Sequence, residues 1–219
     1  MSEQNGDLKG LGALSRYLRA PAPAIAAGER CELCSVALES AHSHLVDVKE
    51  RRLLCACRPC YLLFTPRGAA QGRYKAVGDR CIRFAKPVFS DDQWERLGIP
   101  INLAFFFFNS SADKMVAFYP GPAGAAESLL PLDVWQEVAS AQEPLASLQA
   151  DVEALLVYRR KGGDDASFIV PIDACYELVG LMRSFWKGFD GGESAWRAID
   201  DFLERLSARS GGLQAQRIS

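Results

Sequence analysis

Apolar and polar positions change their rhythm several times along this chain, and each rhythm predicts an element. His44 to Val48 and Arg52 to Ala56 are short strand-like runs. The polar Lys49-Glu50-Arg51 between them predicts a hairpin turn. Tyr61-Leu62-Leu63-Phe64 predicts a short helix: Pro59 suits a first helical position, and Pro66 with Gly68 stops it. Residues 67–87 show no period and read as loop. Ser90 followed by Gln93 has the form of a capping box, so a helix opens at Asp91-Asp92-Gln93-Trp94. Ile101 to Phe108 is almost continuously apolar and predicts a buried strand. Lys114 to Tyr119 predicts its hairpin partner across Asn109 to Asp113.

Further on, Pro120-Gly121-Pro122-Ala123-Gly124 reads as a turn and Leu132 to Ala141 as a helix. Val152 to Arg159 and Ser167 to Pro171 are strands joined by the turn-like Lys161 to Asp165. Ile172 to Lys187 carries a broad apolar stripe that includes Ala174, Cys175, Leu178 and Met182, so this helix is mostly buried. A last helix runs from about Glu193 to Ser207 with Trp196, Ile199, Phe202, Leu203 and Leu206 on one face, and Gly211-Gly212 is expected to end it. Strand pairs separated by single helices predict an α+β fold with a mainly antiparallel sheet and C-terminal helices. The expected organisation is a leader with a Pro/Ala linker (1–28), a four-cysteine module (29–66) and a basic connecting segment (67–87). The α+β domain (88–210) and a flexible tail (211–219) follow.

Hydrophobic residues make up 49% and charged residues 24% of the chain, enough apolar material for a real core. Met1 to Gly10 is polar and mixed in charge, so no secretory signal is expected. The run Ile101 to Phe108 is too short to span a bilayer as a helix. A cytoplasmic location without membrane insertion follows as the expectation. The net charge of −2 hides a polarity: residues 49–86 hold ten Lys/Arg against two acids, while 87–219 hold eleven against nineteen. Such a basic segment suits an anionic partner such as nucleic acid. It equally suits neutralisation of the acidic remainder and of a thiolate-rich metal site.

The chemistry concentrates in Cys31-Glu32-Leu33-Cys34 and Cys57-Arg58-Pro59-Cys60. Each Cys-x-x-Cys knuckle presents two thiolates from one tight turn, and two knuckles complete a tetrahedron. In a reducing compartment such pairs read as metal ligands rather than disulfides, and the total of seven cysteines is odd. Cys31, Cys34, Cys57 and Cys60 are therefore the expected metal ligands, and zinc is the expected ion. Iron is the alternative, because rubredoxin-type sites also use two knuckles. Those knuckles carry glycine directly after the second cysteine, where this chain has Ser35 and Tyr61. Cys55 keeps an iron–sulfur cluster as a third choice. Packing is the commoner role for a cysteine in Cys55's position and in that of Cys175.

The order knuckle, hairpin, knuckle at a helix start resembles a treble-clef zinc finger. With His42 and His44 before the second knuckle it also resembles, in part, the HNH nucleases. Those enzymes need a further His or Asn ligand in the following helix, and Tyr61-Leu62-Leu63-Phe64-Thr65 supplies none. No Gly-x-Ser-x-Gly or His-Glu-x-x-His motif occurs, so no catalytic residues are expected.

Taken together, the two knuckles, Arg52 to Cys60, Phe118 to Ala125 and Val170 to Gly180 resemble an uncharacterised bacterial family, a domain of unknown function of about this length. Its members are often encoded beside nickel–iron uptake hydrogenase genes of the actinobacterial type. The resemblance implies a non-enzymatic accessory or assembly protein whose partners are hydrogenase subunits. Nucleic-acid binding through 49–86 and rubredoxin-like electron transfer are the alternatives.

Overall fold

The computed structural model describes residues 29–121, 123–128, 132–160, 165–187 and 191–215. The expected leader and linker, most of the turn at 161–165 and the end of the tail lie outside the described residues. The architecture is α+β and is built on two antiparallel sheets.

The smaller sheet begins with the predicted hairpin. Strands β1 (Ser43–Asp47) and β2 (Arg52–Ala56) pair so that His44 faces Cys55 and Leu45 faces Leu54. Helix α1 (Arg58–Phe64) follows directly, with proline in its first turn. A third strand, β3 (Tyr74–Ala76), pairs with the other edge of β1. Leu45, Leu54 and Ala56 pack with Cys31 and Cys60 in a small core.

The larger sheet has six strands in the order β4-β9-β8-β5-β6-β7. They are β4 (Ile82–Arg83), β5 (Leu103–Asn109), β6 (Lys114–Gly121), β7 (Gly124–Ser128), β8 (Glu153–Tyr158) and β9 (Ala166–Pro171). Side chains alternate between the two faces of each strand. On one face Leu103, Phe105, Leu156, Phe168 and Val170 meet α5 (Ile172–Phe185) and α6 (Gly192–Ala215). On the other, Ala104, Phe106, Leu155, Val157 and Ile169 meet α2 (Asp91–Leu97), α3 (Leu132–Ala141) and α4 (Glu143–Ala146). Helices on both faces explain why β5 and β8 are apolar at nearly every position: most of their side chains are buried whichever face they point to.

The capping box at the start of α2 is present. Ser90 Oγ accepts from the Gln93 N–H, and Gln93 Oε1 accepts from the Ser90 N–H. Three features depart from expectation. The segment expected as loop contributes β3 to one sheet and β4 to the other. The turn near Gly121 opens into an edge strand, β7. Helix α6 continues through Gly211-Gly212 to Ala215. A helical glycine costs only about 1 kcal/mol relative to alanine, too little to stop a helix on its own.

The two sheets meet through charges as well as apolar contacts. Lys75 donates to the Asp151 carboxylate at 2.6 Å, and Arg80 grips Glu153 with two nitrogens. Asp151 and Glu153 are buried acids of the larger domain. Arg73 binds Asp47, also buried, inside the small sheet. The charges of the basic segment are thus partly consumed by acids of the chain itself.

Candidate metal centre

Local chain direction brings the four predicted cysteines together. In the first knuckle the Cys31 carbonyl accepts from the Ser35 N–H at 2.7 Å, and the Cys31 N–H donates to the Val36 carbonyl. Closing that turn places Ser35 at φ 63°, the left-handed region. For a residue with a Cβ this costs roughly 1–2 kcal/mol. The second knuckle is built differently. Cys57 is the extended N-cap of α1, the helix then runs through Cys60, and the Tyr61 N–H donates to the Cys57 carbonyl. Glu32 ties the two together: its N–H donates to the Cys55 carbonyl, and its carboxylate accepts from the Cys55 N–H at 2.8 Å and from Arg52.

The Sγ atoms of Cys31, Cys34, Cys57 and Cys60 all lie within 4.8 Å of one another. Cys34 and Cys57 are 3.6 Å apart, and all seven cysteines are free thiols. Tetrahedral coordination with metal–sulfur bonds of about 2.3 Å sets sulfurs about 3.8 Å apart, whereas a disulfide needs about 2.05 Å. The separation fits a shared ion. Cys31 and Cys60 are buried, while Cys34 is exposed at the open side.

The electrostatics favour a cation at this point. Burial pushes the Cys31 thiol up, but the N–H groups of Cys57, Leu33 and Cys34, together with the Cys34 side chain, bring it down to about 6. Burial raises Cys60, and the neighbouring Cys57, Cys34 and Cys31 raise it further. The Val36 N–H favours the Cys34 thiolate, yet Cys31 and Cys57 outweigh it and leave that thiol raised. One thiolate forms easily here and the next are opposed by the first, which is the repulsion a divalent ion removes.

The remaining candidates fall elsewhere. Cys175 is fully buried on α5, and burial raises its thiol strongly, as its place on an apolar stripe implied. Cys81 is buried against the Leu206 carbonyl. His42, His44 and Cys55 stay outside the four-thiol set and form a group of their own.

A cavity of about 420 Å³, lined by α5 and strands β5, β6 and β7, was not foreseen. Phe105, Phe107, Val116 and Phe118 line it together with Val46 and Val48 of the small sheet, and Arg51, Lys114 and Arg183 also face it. Sequence periodicity could not find it, because it depends on how α5 crosses the sheet.

Among the described residues no helix is long and apolar enough to cross a membrane. Fold and site together define an α+β protein with a four-cysteine cluster able to hold a metal ion. Residues 30–210 match a family described as a family of unknown function, DUF5947, and the chain belongs to that family. Comparison with curated proteins found no match. Comparison with solved structures found none either.

Proposed function

We propose that this chain is a non-enzymatic accessory or assembly protein whose four-cysteine module holds a structural zinc ion. It acts through contact with another protein, and the resemblance in sequence nominates a nickel–iron hydrogenase. The observation that carries the zinc reading is the convergence of four Sγ atoms from two unlike knuckles. The second knuckle enters a helix at once, unlike the paired glycine-bearing loops of a rubredoxin-type iron site. The ion joins three pieces of chain, namely the first knuckle, the end of β2 and the start of α1. A closed four-thiolate set leaves no position for substrate, as in structural rather than catalytic zinc sites.

Contact with a partner is supported by the module's surface. Val36, Leu62 and Leu63 are at least half exposed, and all three belong to the knuckles or to α1. Elemental analysis of untagged protein tests the zinc reading. Zinc that is lost in Cys60→Ser supports it; iron with visible absorption replaces it with electron transfer. A pull-down from the native cells tests the partner. Recovery of hydrogenase subunits that fails in Leu62→Asp/Leu63→Asp supports the contact, and their absence from the wild-type pull-down removes it.

A second reading rests on the cavity. Its volume lies within the range of small-molecule sites, about 300–1,000 Å³. Among the described residues Arg51 and Arg183 make no ion pair. Glu127 and Asp151 also line the cavity but are paired with Lys114 and Lys75, so apolar walls with the two remaining guanidinium groups suit a small amphipathic anion. Titration with a medium-chain carboxylate checks this: saturable binding lost in Arg51→Ala/Arg183→Ala supports it, and no binding removes it.

A further inference from the structure

His42, His44 and Cys55 gather beside the hairpin, apart from the four-thiol set. His44 lies directly across the hairpin from Cys55. His42 precedes His44 by two residues, and their rings meet edge to face with centroids 4.8 Å apart. The donor atoms of all three residues lie within 4.8 Å of one another.

The hydrogen bonds around the imidazoles determine which nitrogens are free. His42 Nδ1 is 2.9 Å from the Glu39 carbonyl, and His44 Nδ1 is 2.9 Å from the Asp173 carboxylate. Both partners are acceptors, so each Nδ1 donates, and in the neutral ring Nε2 is the nitrogen open to an ion. This is how metal-binding histidines are held: one ring nitrogen is oriented by a carbonyl or carboxylate, and the other is presented to the ion. The His42 side chain is only 8% exposed, and among the described residues its Nε2 is buried without a hydrogen-bond partner. Glu29 Oε2 stands 3.5 Å away, longer than a hydrogen bond. A buried nitrogen left unpaired in this way is costly unless something occupies the gap.

Bonds of about 2.0–2.1 Å to nitrogen and 2.3 Å to sulfur put tetrahedral ligands roughly 3.3–3.6 Å apart. At its widest separation of 4.8 Å the group therefore has to tighten by about 1.2–1.5 Å. Side-chain torsions of the half-buried His44 and Cys55, with smaller shifts of the more deeply buried His42, can supply that. Imidazole with thiolate selects borderline transition metals and disfavours Mg²⁺ and Ca²⁺, which want oxygen.

We propose that His42, His44 and Cys55 are a second metal site, which takes a divalent first-row ion such as Zn²⁺ or Co²⁺ and leaves its fourth position to Glu29 or solvent. Three protein ligands with one open position give an exchangeable site, in contrast to the closed four-thiolate one. Because His44 is held by Asp173 in the first turn of α5, an ion here also braces the small sheet against the larger domain.

The test counts ions in the full-length chain after dialysis against micromolar Zn²⁺, then repeats the loading with Co²⁺ and reads its thiolate absorption. The variants are Cys55→Ser and the pair His42→Asn/His44→Asn, in which the asparagine amides keep a donor near each Nδ1 position but lack Nε2. The wild type is expected to hold two ions per chain and each variant one, with the four-thiolate cobalt spectrum retained. Asp173→Asn is expected to weaken the second ion by about 10- to 100-fold. A single wild-type ion with a four-thiolate spectrum overturns the proposal. So do two ions that persist in both Cys55→Ser and the asparagine pair. A single ion with a one-thiolate spectrum supports this site and instead removes the four-cysteine reading.

Discussion

The core beneath the three-stranded sheet consists of five buried residues, Cys31, Leu45, Leu54, Ala56 and Cys60, and two of them are members of the thiol cluster. The six-stranded sheet is covered on both faces, with Phe106, Phe168, Leu155, Leu156 and Ile169 all wholly buried. The first region's own core is small against the entropy of ordering its chain, and Val46 and Leu53 lean on the larger core instead. The second has ample area and needs no cross-link. On the proposed reading, metal coordination would do for the small module what burial does for the large one.

The largest effect follows from removing the ion. Structural zinc in small modules contributes on the order of 10 kcal/mol to folding. A strong chelator, or Cys60→Ser, is therefore expected to abolish hydrogen-exchange protection in β1 and β2 while β8 and β9 stay protected. Equal loss in both sheets would break the comparison and make the molecule one cooperative unit.

The converse experiment enters through the other core. Phe106→Ala is expected to cost about 3–5 kcal/mol in urea unfolding with the metal content unchanged. If metal is lost as well, the small module depends on the large sheet for its fold.

The seam between the regions comes next. Arg80 covers Glu153, whose side chain is only 5% exposed. Arg80→Ala leaves that carboxylate buried without its cation, so a loss of about 3 kcal/mol is expected. Adding Glu153→Gln to this variant should recover part of the loss in the same denaturation assay.

The smallest effect is a pH dependence confined to the small sheet. The Arg73 guanidinium holds the buried Asp47 carboxyl below the usual carboxylate range, with help from the Glu50 N–H and against the effect of burial. A depressed folded-state pKa stabilises fully above the unfolded value near 4 and is lost as pH falls through the folded value. Unfolding of the small sheet below pH 4 should therefore become less steep in Asp47→Asn. An unchanged acid limb would show that the pair adds nothing.

Much of this architecture was legible in local pattern. Ser90 and Gln93 announced a capped helix, Ile101 to Phe108 a buried strand, and Leu132 to Ala141 a helix of those bounds. These signals are local: a cap, a period or a proline acts within a few residues of itself. Tyr74-Lys75-Ala76 carries no such signal and becomes a strand because β1 offers a free edge. β7 forms for the same reason against β6. Nothing adjacent in sequence to Asp151 or Glu153 signals that these acids are buried. They are buried because Lys75 and Arg80, more than seventy residues earlier, arrive to neutralise them. The histidines and Cys55 were visible singly, but only the register of β1 on β2 places His44 against Cys55.

By itself, the sequence determined what adjacent residues can settle: the elements with a local signal, the α+β class, and the two knuckles whose spacing suits four thiols to one ion. The tertiary structure alone decided which strands become neighbours, which acids are buried, where the cavity lies and, among the described residues, which histidine nitrogen is buried without a partner. The physical reason is one of range. Turns, caps and knuckles are set by steric and hydrogen-bonding terms within a few residues. Desolvation and long-range pairing exist only once distant segments have packed.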